Sequence, residues 1–282
     1  MNTIKTFFLL MVMSGLLLVI GLALGGIPMM ILFLVLALFM NFGAYWFSDR
    51  IALKMAHAHP VTEREDPELY GIVAEQAHNA GLPMPKVYEI DSDSPNAFAT
   101  GRSPQKATVA VTTGIRQILN REELGAVLAH EMAHVGNRDT LIMAVVATIA
   151  GAISMLAMIA QFSMIFGGMG GDRGRGGGII GLLVVAIVMP LAAGLVRAAI
   201  SRTREYQADA TGAKWSGNPY ALASALEKLE MGSQARPMKV AEGASHLFIV
   251  NPLSGKRMAS LFSTHPPIAE RVRRLREMGP RY

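Results

Sequence analysis

The sequence predicts a mainly helical integral membrane protein that also carries a small α+β domain. Of its 282 residues, 51% are hydrophobic and only 17% are charged, and the mean hydropathy is +0.35. Such a composition is typical of chains with much of their length in a bilayer. Four uncharged apolar runs are each long enough to cross a membrane as a helix. Between these runs, helix caps and short alternating segments predict the α+β domain.

The first two apolar runs predict an N-terminal helical hairpin. They span residues 7–24 and 27–47, and only Gly25 and Gly26 separate them. A cleaved signal peptide is the alternative interpretation of the first run, and Lys5 before the apolar core would fit it. The second run follows at once, however, which favours a retained anchor.

The third and fourth runs, residues 141–166 and 179–196, predict a second hairpin. The glycine-rich residues 167–178 join them. A phosphate-binding loop is disfavoured because this linker lacks the Gly-Lys-Ser/Thr ending and no strand precedes it, so we expect a flexible turn outside the membrane. Pro190 would kink the fourth span, which membrane helices tolerate.

The placement of basic residues predicts the orientation of the four spans. Six basic residues flank the spans on one side, namely Arg50, Lys54, Arg138, Arg197, Arg202 and Arg204. The other side carries Arg173 and Arg175, which Asp172 partly balances. Because cytoplasmic loops are enriched in lysine and arginine, both termini and the soluble residues are predicted to be cytoplasmic.

The overall charge narrows the partners to be expected. The net charge of +5 and the pI of about 9.6 fit contact with the anionic headgroups of a lipid bilayer. No nucleic-acid partner is expected, since the sequence has no platform of basic and aromatic residues. The chain has no cysteine, which excludes a lipoprotein anchor and agrees with a reducing compartment.

Four segments are predicted along the chain. Residues 1–47 form the first transmembrane hairpin, and residues 140–198 form the second. The second hairpin is inserted in the α+β domain, whose two parts are residues 48–139 and 199–282. This insertion would hold the soluble domain close to the membrane surface.

The segment from His130 to His134 predicts a metal site on a helix. Residues four apart share one helix face, so His130 and His134 can offer two imidazoles to one ion. Glu131 can stand beside the metal without binding it and act as a general base. Asn120 and Glu123 have the spacing of a capping box at the start of this helix. The alternative is that two histidines share a helix face by chance.

Glu205 and Asp209 are the candidates that complete this site. They again lie four residues apart, so one helix face would carry both carboxylates. Glu205 would be the third metal ligand, and Asp209 would accept a hydrogen bond from the far nitrogen of a ligand histidine. The alternative is two surface acids that balance Arg202 and Arg204. The remaining histidines lack helical partners at ligand spacing and are weaker candidates, namely His57, His59, His78 and His246.

The rest of the soluble part is predicted to add three helices and two short strands. They are a helix from Pro67 to about Ala80, strands at 86–90 and 107–112, a helix from Pro219 to Glu230, and a helix after Pro267. The basic run around Arg271 in the last helix is predicted to be a solvated surface. Residues 234–260 are only weakly periodic and are predicted to form a mobile loop.

Four motifs in one order give this chain a family resemblance. They are NAFATG at residues 96–101, HEMAH at 130–134, EYQAD at 205–209 and STHPP at 263–267. The chain resembles the HtpX-type bacterial membrane zinc metalloproteases over nearly its whole length, with the CAAX prenyl endoproteases as more distant relatives. The resemblance implies a gluzincin-like zinc metalloprotease domain on a protein with four transmembrane helices.

The resemblance also implies the chemistry of the site. One Zn²⁺ per chain would be held by His130, His134 and Glu205, with Glu131 as the catalytic base. The enzyme would be a zinc-dependent metalloendopeptidase of the bacterial inner membrane. Its substrates would be misfolded or damaged membrane proteins and unfolded polypeptides, cut on the cytoplasmic side as part of a stress response. The sequence predicts no particular oligomeric state.

Two further features are candidate parts of the site, and the resemblance favours the role of the first. Substrate is expected to pair with an edge strand that contains Asn96, Ala97, Phe98 and Ala99. Such pairing would recognise the extended backbone of the substrate more than its side chains. A plain strand or turn is the alternative. His265 would stabilise the oxyanion above the metal, or it could be a helix-start residue without chemistry.

Two rival functions remain open at this point. One is a prenyl-protein endoprotease that clips a defined C-terminal motif, although four spans are few for building a membrane chamber. The other is a membrane scaffold or chaperone whose zinc is structural. A closed structural site would want a fourth ligand, which His265 could supply, but Glu131 would then have no use.

Overall fold

The computed structural model describes residues 2–146, 202–238, 247–251 and 266–279. The helices in chain order are α1 (Asn2–Met55), α2 (Pro67–Ala80), α3 (Thr113–Ile118), α4 (Arg121–Gly136), α5 (Arg202–Ser216), α6 (Pro219–Ala235) and α7 (Ile268–Glu277). The strands are β1 (His59–Pro60), β2 (Lys86–Ile90), β3 (Ala97–Thr100) and β4 (Thr108–Thr112). Residues 139–146 are also helical and follow α4 after a short turn.

The four strands form one small mixed sheet with the order β1-β2-β4-β3. The central strands β2 and β4 are parallel, and both outer strands pair antiparallel with their neighbours. β3 is therefore an edge strand, in register with β4 from Ala97 opposite Val111 to Thr100 opposite Thr108. All residues of β3 are buried although it lies at an edge, so other parts of the chain cover it.

Helix α4 lies at the centre of the soluble domain. Its residues 123–135 are buried, and it packs against α2, α5, α6 and β3. The helix starts at the predicted capping box, in which the side chains of Asn120 and Glu123 each accept a hydrogen bond from the other's backbone N–H. Ser224 and Lys228 of α6 also donate to the Glu123 carboxylate, at 2.7 Å each. The first turn of α4 is therefore fixed to α6 before the helix reaches the two histidines.

Helix α1 contains the predicted N-terminal hairpin, because the helical chain reverses at Gly26. That glycine has a φ of 66°, the left-handed conformation that side chains disfavour. Beyond the turn, the Asn41 amide donates to Ser14 Oγ at 2.7 Å, and the rings of Phe7 and Tyr45 stack with centroids 6.2 Å apart. These contacts join residues far apart in sequence, so two helical arms lie side by side.

The second arm of α1 is apolar enough to cross a membrane, and we call it the membrane arm. Among the described residues, Gly26–Met55 is the one helix of sufficient length and apolarity, with a mean hydropathy of 2.3 over its best window. The first arm contains a shorter apolar stretch, Thr6–Val19. The predicted third span, residues 141–166, begins within the described residues, since 141–146 are helical. Its remainder, the glycine-rich linker and the fourth span with Pro190 lie outside the described residues.

The membrane arm is joined directly to the sheet. An apolar cluster combines the end of α1, the start of the helix at 139–146, and one face of the sheet, and it includes Ala52, Leu53, Ile90, Phe98, Ala110, Leu141 and Phe248. Arg102, in the turn after β3, also stacks its guanidinium over the Trp46 ring at 4.2 Å. The edge of the sheet that carries β3 is therefore held next to the membrane arm.

Predictions about two parts of the C-terminal region were wrong, namely the segment after Glu230 and the last helix. Residues 247–250, within the predicted mobile loop, are buried against β3, and α6 runs to Ala235 rather than to Glu230. Arg271, predicted to be solvated, is fully buried. Both errors arise because local periodicity does not reveal which surfaces a distant strand or helix will cover.

Candidate active site

Helices α4 and α5 bring His130, His134 and Glu205 together. The Nε2 atoms of His130 and His134 lie 3.9 and 3.5 Å from the two carboxylate oxygens of Glu205. All three side chains are buried. The close approach of the helices requires Gly212 on α5, because a Cβ there would come within 2.7 Å of the His130 backbone. The backbone packing of α4 on α5 thus sets the spacing of the three side chains.

This spacing fits a single divalent metal ion. Donor atoms around a tetrahedral zinc, bound at about 2.0–2.1 Å, are roughly 3.3 Å apart. The donor atoms of the three residues lie within 4.8 Å of one another, so small adjustments would bring them to one ion. Both histidines direct Nε2 toward Glu205, as two ligands of one ion must. Two imidazoles and one carboxylate are also a donor set that suits zinc.

The buried charges around the histidines favour a cation as well. Four carboxylates belong to this region, namely Glu131, Asp139, Glu205 and Asp209. Two arginines oppose them, Arg204 and Arg271. A divalent cation would bring the set to neutrality when both histidines are neutral. Without a cation, the charge has to be balanced by protons.

His130 is held by an ion pair behind it. Its Nδ1 lies 3.0 Å from Asp209, and Arg271 binds the same carboxylate through two hydrogen bonds of 2.7 and 2.8 Å. Burial lowers the pKa of His130 to about 4, against the attraction of Asp209. Although burial opposes the charged form of Asp209, the Arg271 charge lowers the pKa of that carboxyl to about 2. His130 is therefore neutral at physiological pH, as a ligand must be.

His134 has a different neighbourhood. Its Nδ1 lies 3.2 Å from Asp139, which Arg204 of α5 contacts at 3.3 Å. Burial disfavours the imidazolium, but the attraction of Glu205 and the hydrogen bond to Asp139 raise the pKa of His134 to about 9. In the absence of a metal, His134 therefore carries the proton that a cation would displace.

Glu131 points toward β3 rather than into the group of ligands. Its Oε2 accepts a hydrogen bond of 2.8 Å from the backbone N–H of Ala99. Burial raises the pKa of Glu131 to about 8, and the nearby Glu205 adds to this increase, while His134 opposes it. A carboxyl group with a raised pKa, placed beside a metal site, is suited to exchange protons near neutral pH.

Comparison with known proteins identifies the family. Residues 63–279 match the model of peptidase family M48. The chain belongs to this family. It is also 54% identical to a protease HtpX homolog of Persephonella marina, over 100% of this chain and 99% of that protein. The homologs of Syntrophobacter fumaroxidans and Thermococcus kodakarensis are 53% and 51% identical over 97% and 98% of this chain.

A solved structure agrees with this M48 fold. The crystal structure of S. mikatae Ste24p aligns with 97% of this chain at a TM-score of 0.52 and 20% identity. The chain spans 65% of the length of that protein, so the likeness concerns the fold alone. From the family and the HtpX relatives together, the protein is a membrane-associated metalloendopeptidase that acts on polypeptides. The buried His-His-Glu group can hold the divalent metal of such an enzyme.

The structure places the other predicted residues of this M48 protease in three ways. Ala97 to Ala99 lie in β3 and Asn96 directly precedes it, and the Ala99 backbone N–H binds Glu131. The oxyanion candidate His265 and the weaker ligand candidate His246 lie outside the described residues. His59 forms a second group of metal-binding residue types with Glu89 and Asp91, at the opposite edge of the sheet.

Sequence reasoning missed two residues of this M48 site. Asp139 holds His134, and Arg271 holds Asp209 while its NH2 lies 3.5 Å from His130 Nε2. A signal for Arg271 was present, because it shares a helix face with Ile268, Val272 and Leu275, which are all buried. An arginine that is buried with such a stripe needs a carboxylate partner, because arginine is almost never fully buried unless it is paired.

Proposed function

We propose that this protease is a zinc enzyme that cuts locally unfolded segments of membrane proteins at the cytoplasmic face of the bacterial inner membrane. The observation that carries the proposal is the buried group of His130, His134 and Glu205 with Glu131 beside it. This group lies in a domain that packs directly on a membrane arm. Quality control of damaged membrane proteins would use such an enzyme.

The three ligands would hold zinc through His130 Nε2, His134 Nε2 and the Glu205 carboxylate. When bound, zinc supplies a Lewis acid that lowers the pKa of a water molecule and polarises the scissile carbonyl group. Asp209 and Asp139 would keep the two imidazole rings in orientation by accepting from their Nδ1–H groups. Both aspartates are themselves bound by arginines, so these orientations are fixed by a further layer of contacts.

Glu131 would act as the general base and then as the general acid. Its carboxylate would take a proton from the attacking water and later donate a proton to the leaving amine. The hydrogen bond from Ala99 N–H fixes one oxygen and leaves the other for this proton transfer. In this mechanism, no covalent bond forms between the substrate and the enzyme.

The substrate would lie along the edge of β3. Asn96, Ala97, Phe98 and Ala99 are close to Glu131, and a strand added there would bring a peptide bond to the base. Main-chain hydrogen bonds recognise an extended peptide with little regard to its side chains. An enzyme with this mode of binding would accept many sequences, provided that they are locally unfolded.

The membrane arrangement remains part of the proposal. Residues 1–47 and 140–198 would form two transmembrane hairpins, and residues 48–139 and 199–282 would form the catalytic domain. The basic residues next to the spans support a cytoplasmic site and cytoplasmic termini. His265 would contribute to oxyanion stabilisation from the segment before α7.

The proposal is tested by comparing wild-type protein with the Glu131→Gln variant. Both are purified in detergent and their zinc content is measured, and each is given an unfolded model protein and, separately, a prenylated C-terminal peptide as substrate. We expect equal zinc content and a loss of cleavage by a factor of about 10²–10⁴, as for removal of a general base. Chelation should abolish wild-type cleavage, and added zinc should restore it.

The same experiment separates the rival functions. Two zinc-loaded proteins that both fail to cleave would overturn the protease and favour a membrane scaffold. A wild-type protein that cleaves only prenylated C-terminal peptides would favour the prenyl-protein endoprotease. Undiminished cleavage by the Glu131→Gln variant would remove Glu131 from the mechanism.

A further inference from the structure

The substrate edge of β3 is partly covered by residues of the chain itself. We call residues 247–251 the strap. Its residues 247–250 are buried, and the rings of Phe248 and Phe98 meet edge to face with centroids 5.1 Å apart. Residues 248–250 form bends rather than a regular strand. The strap is therefore held on β3 by individual contacts and not by a continuous ladder.

The hydrogen bonds of the strap involve its main chain. Ile249 N–H donates to Ala97 O at 3.1 Å. The Asn96 side chain binds Val250 at both ends, accepting from its N–H at 3.3 Å and donating to its carbonyl at 2.8 Å. These are the groups that an edge strand and a side-chain amide offer to any peptide, because they do not depend on the side chains of the partner.

Arg271 adds a contact from the catalytic side. Its NH1 donates to the carbonyl oxygen of Ile249 at 3.3 Å, while its other nitrogen atoms bind Asp209 behind His130. The Arg271 guanidinium group therefore contacts both the strap and Asp209, the residue that orients the proposed metal ligand His130. A peptide that binds beside Glu131 to be cleaved would lie within reach of the same three hydrogen-bonding groups, on Ala97, Asn96 and Arg271.

We propose that the strap is an internal occupant of the substrate site, which a substrate must displace before it is cut. This inference rests on the proposed function, since it assigns Ala97 O, the Asn96 side chain and Arg271 NH1 to substrate binding. The bent strap and an extended substrate compete for these groups. The extended substrate has the advantage that it can also reach the Ala99 carbonyl oxygen, which lies on the same side of β3 as that of Ala97.

Displacement also defines the class of substrate. A tethered occupant competes at an effective concentration that is typically about millimolar, so a dilute soluble peptide displaces it poorly. The strap residues 247–250 are Leu, Phe, Ile and Val, and they lie in an apolar environment. A competitor must offer similar apolar side chains. We therefore expect extended apolar segments, such as unfolded pieces of membrane spans, to be cut in preference to polar ones.

Loosening the strap should activate the enzyme. If the strap occupies the site in about 99% of molecules and a variant lowers this to about 90%, the competent fraction rises tenfold. Phe248→Ala removes the ring that packs on Phe98. Ser233→Ala is a milder change, because it removes only the 3.1 Å hydrogen bond from Ser233 Oγ to Asn251 O. Ser216→Ala is the matched control, since its Oγ binds Ala213 O within α5, away from the strap.

The experiment uses full-length protein in detergent with its zinc content measured. A fluorescent peptide with a Leu-Phe-Ile-Val core is compared with one in which polar residues replace this core. We expect kcat/KM for the apolar peptide to rise by up to about tenfold in Phe248→Ala, by less in Ser233→Ala, and to be unchanged in Ser216→Ala. A blocked peptide with the strap sequence should inhibit Phe248→Ala competitively at lower concentrations than wild type.

Specific results would overturn the inference. Zinc-loaded Phe248→Ala and Ser233→Ala that cleave no faster than wild type would make the strap a fixed wall of the site. Equal cleavage of the apolar and polar peptides would show that extended apolar segments are not the preferred substrates. If Phe248→Ala loses zinc through misfolding, Ser233→Ala decides the question. A wild-type protein without any metal-dependent cleavage would overturn the proposed function itself, and the strap inference with it.

Discussion

The two edges of the sheet each carry histidine and carboxylate side chains within reach of one another, but only one edge has a metal site's architecture. At the β1 edge, the side chains of His59, Glu89 and Asp91 are 46%, 19% and 84% exposed. At the β3 edge, those of His130, His134 and Glu205 are 1%, 4% and 2% exposed. Exposure alone already separates a group that water solvates from one that needs a cation or protons.

The direction of the imidazole nitrogens separates the two groups further. His59 faces Glu89 with Nε2 and Asp91 with Nδ1, so the two carboxylates approach different nitrogens of the ring. Arg116 also contacts Glu89 at 3.3 Å and competes with any ion. In the buried group, both Nε2 atoms face the same carboxylate, and each Nδ1 atom lies within 3.2 Å of an aspartate oxygen. A metal site thus requires convergence and support, and proximity of suitable residues is insufficient.

The largest effect is expected when a histidine is removed from each edge. His134→Ala should lose bound zinc and all metal-dependent cleavage, because two ligands do not hold a catalytic zinc in place. His59→Ala should keep both, since its group is exposed to water and Arg116 contacts Glu89. Zinc content and cleavage rate are measured for the two purified variants. Loss of zinc from His59→Ala would contradict the conclusion that only the buried group binds the metal.

The second prediction compares a buried and an exposed arginine on the same helix. Arg271→Met should lower the free energy of unfolding by about 3–5 kcal/mol, because Asp209 is left as an uncompensated buried charge. Arg273 is exposed and pairs with Glu270 and Glu277 in water, so Arg273→Met should lower the free energy of unfolding far less than Arg271→Met. Thermal unfolding in detergent measures both. Similar losses would mean that Arg271 is not a supporting ion pair.

The third prediction concerns the pH dependence of metal binding. In the metal-free protein, the pKa values of His134 and Glu131 are raised to about 9 and about 8, so both groups are protonated at neutral pH. A bound cation favours their deprotonated forms, so binding should release about two protons and the zinc affinity should rise by up to about 100-fold per pH unit below pH 8. The rise should end as the pH passes about 9.

Calorimetry in buffers of different ionisation enthalpy counts the released protons. The His134→Ala variant is unsuitable as a control because it lacks a ligand, so His59→Ala is used instead. It should release the same number of protons as wild type. A zinc affinity that does not change with pH would show that protons do not balance the buried charge in the metal-free state.

The smallest effect is expected from the supporting carboxylates. Asp139→Asn should weaken zinc binding by about 10–100-fold, because an amide orients the His134 ring less strongly than a carboxylate does. Asp91→Asn is the matched change at the exposed edge and should leave the affinity unchanged. Competition with a calibrated chelator measures both values. An unchanged affinity in Asp139→Asn would show that Asp139 does not support the ligand.

The local elements were predictable because their signals are local. The capping box at Asn120 and Glu123, the start of α2 after Asp66 and its end at Gly81 are all present in the structure. Strand β2 has its predicted bounds, and the first hairpin turns where Gly25 and Gly26 predicted it. Each of these features depends on a few neighbouring residues, whose backbone preferences act over one turn.

The partners of the ligands were not predictable in the same way. The i,i+4 spacing of His130 and His134 fixed one helix face, but the choice of Asp139 for His134 depends on the turn that follows α4. Arg271 reaches Asp209 across 62 residues of sequence, and the strap reaches Asn96 across 154. Such pairs depend on how the helices pack, which no local pattern encodes.

The sequence by itself determined an N-terminal helical hairpin, a helix with two histidines on one face, and an acidic pair suited to complete a metal site. These follow from apolar length and helical periodicity, which are properties of single segments. Tertiary structure decided which carboxylates orient which histidine, that Arg271 is buried, and that the strap covers the edge of β3. The physical reason is that burial and charge balance belong to surfaces in contact, and these surfaces exist only after α4, α5, α7 and the sheet have packed together.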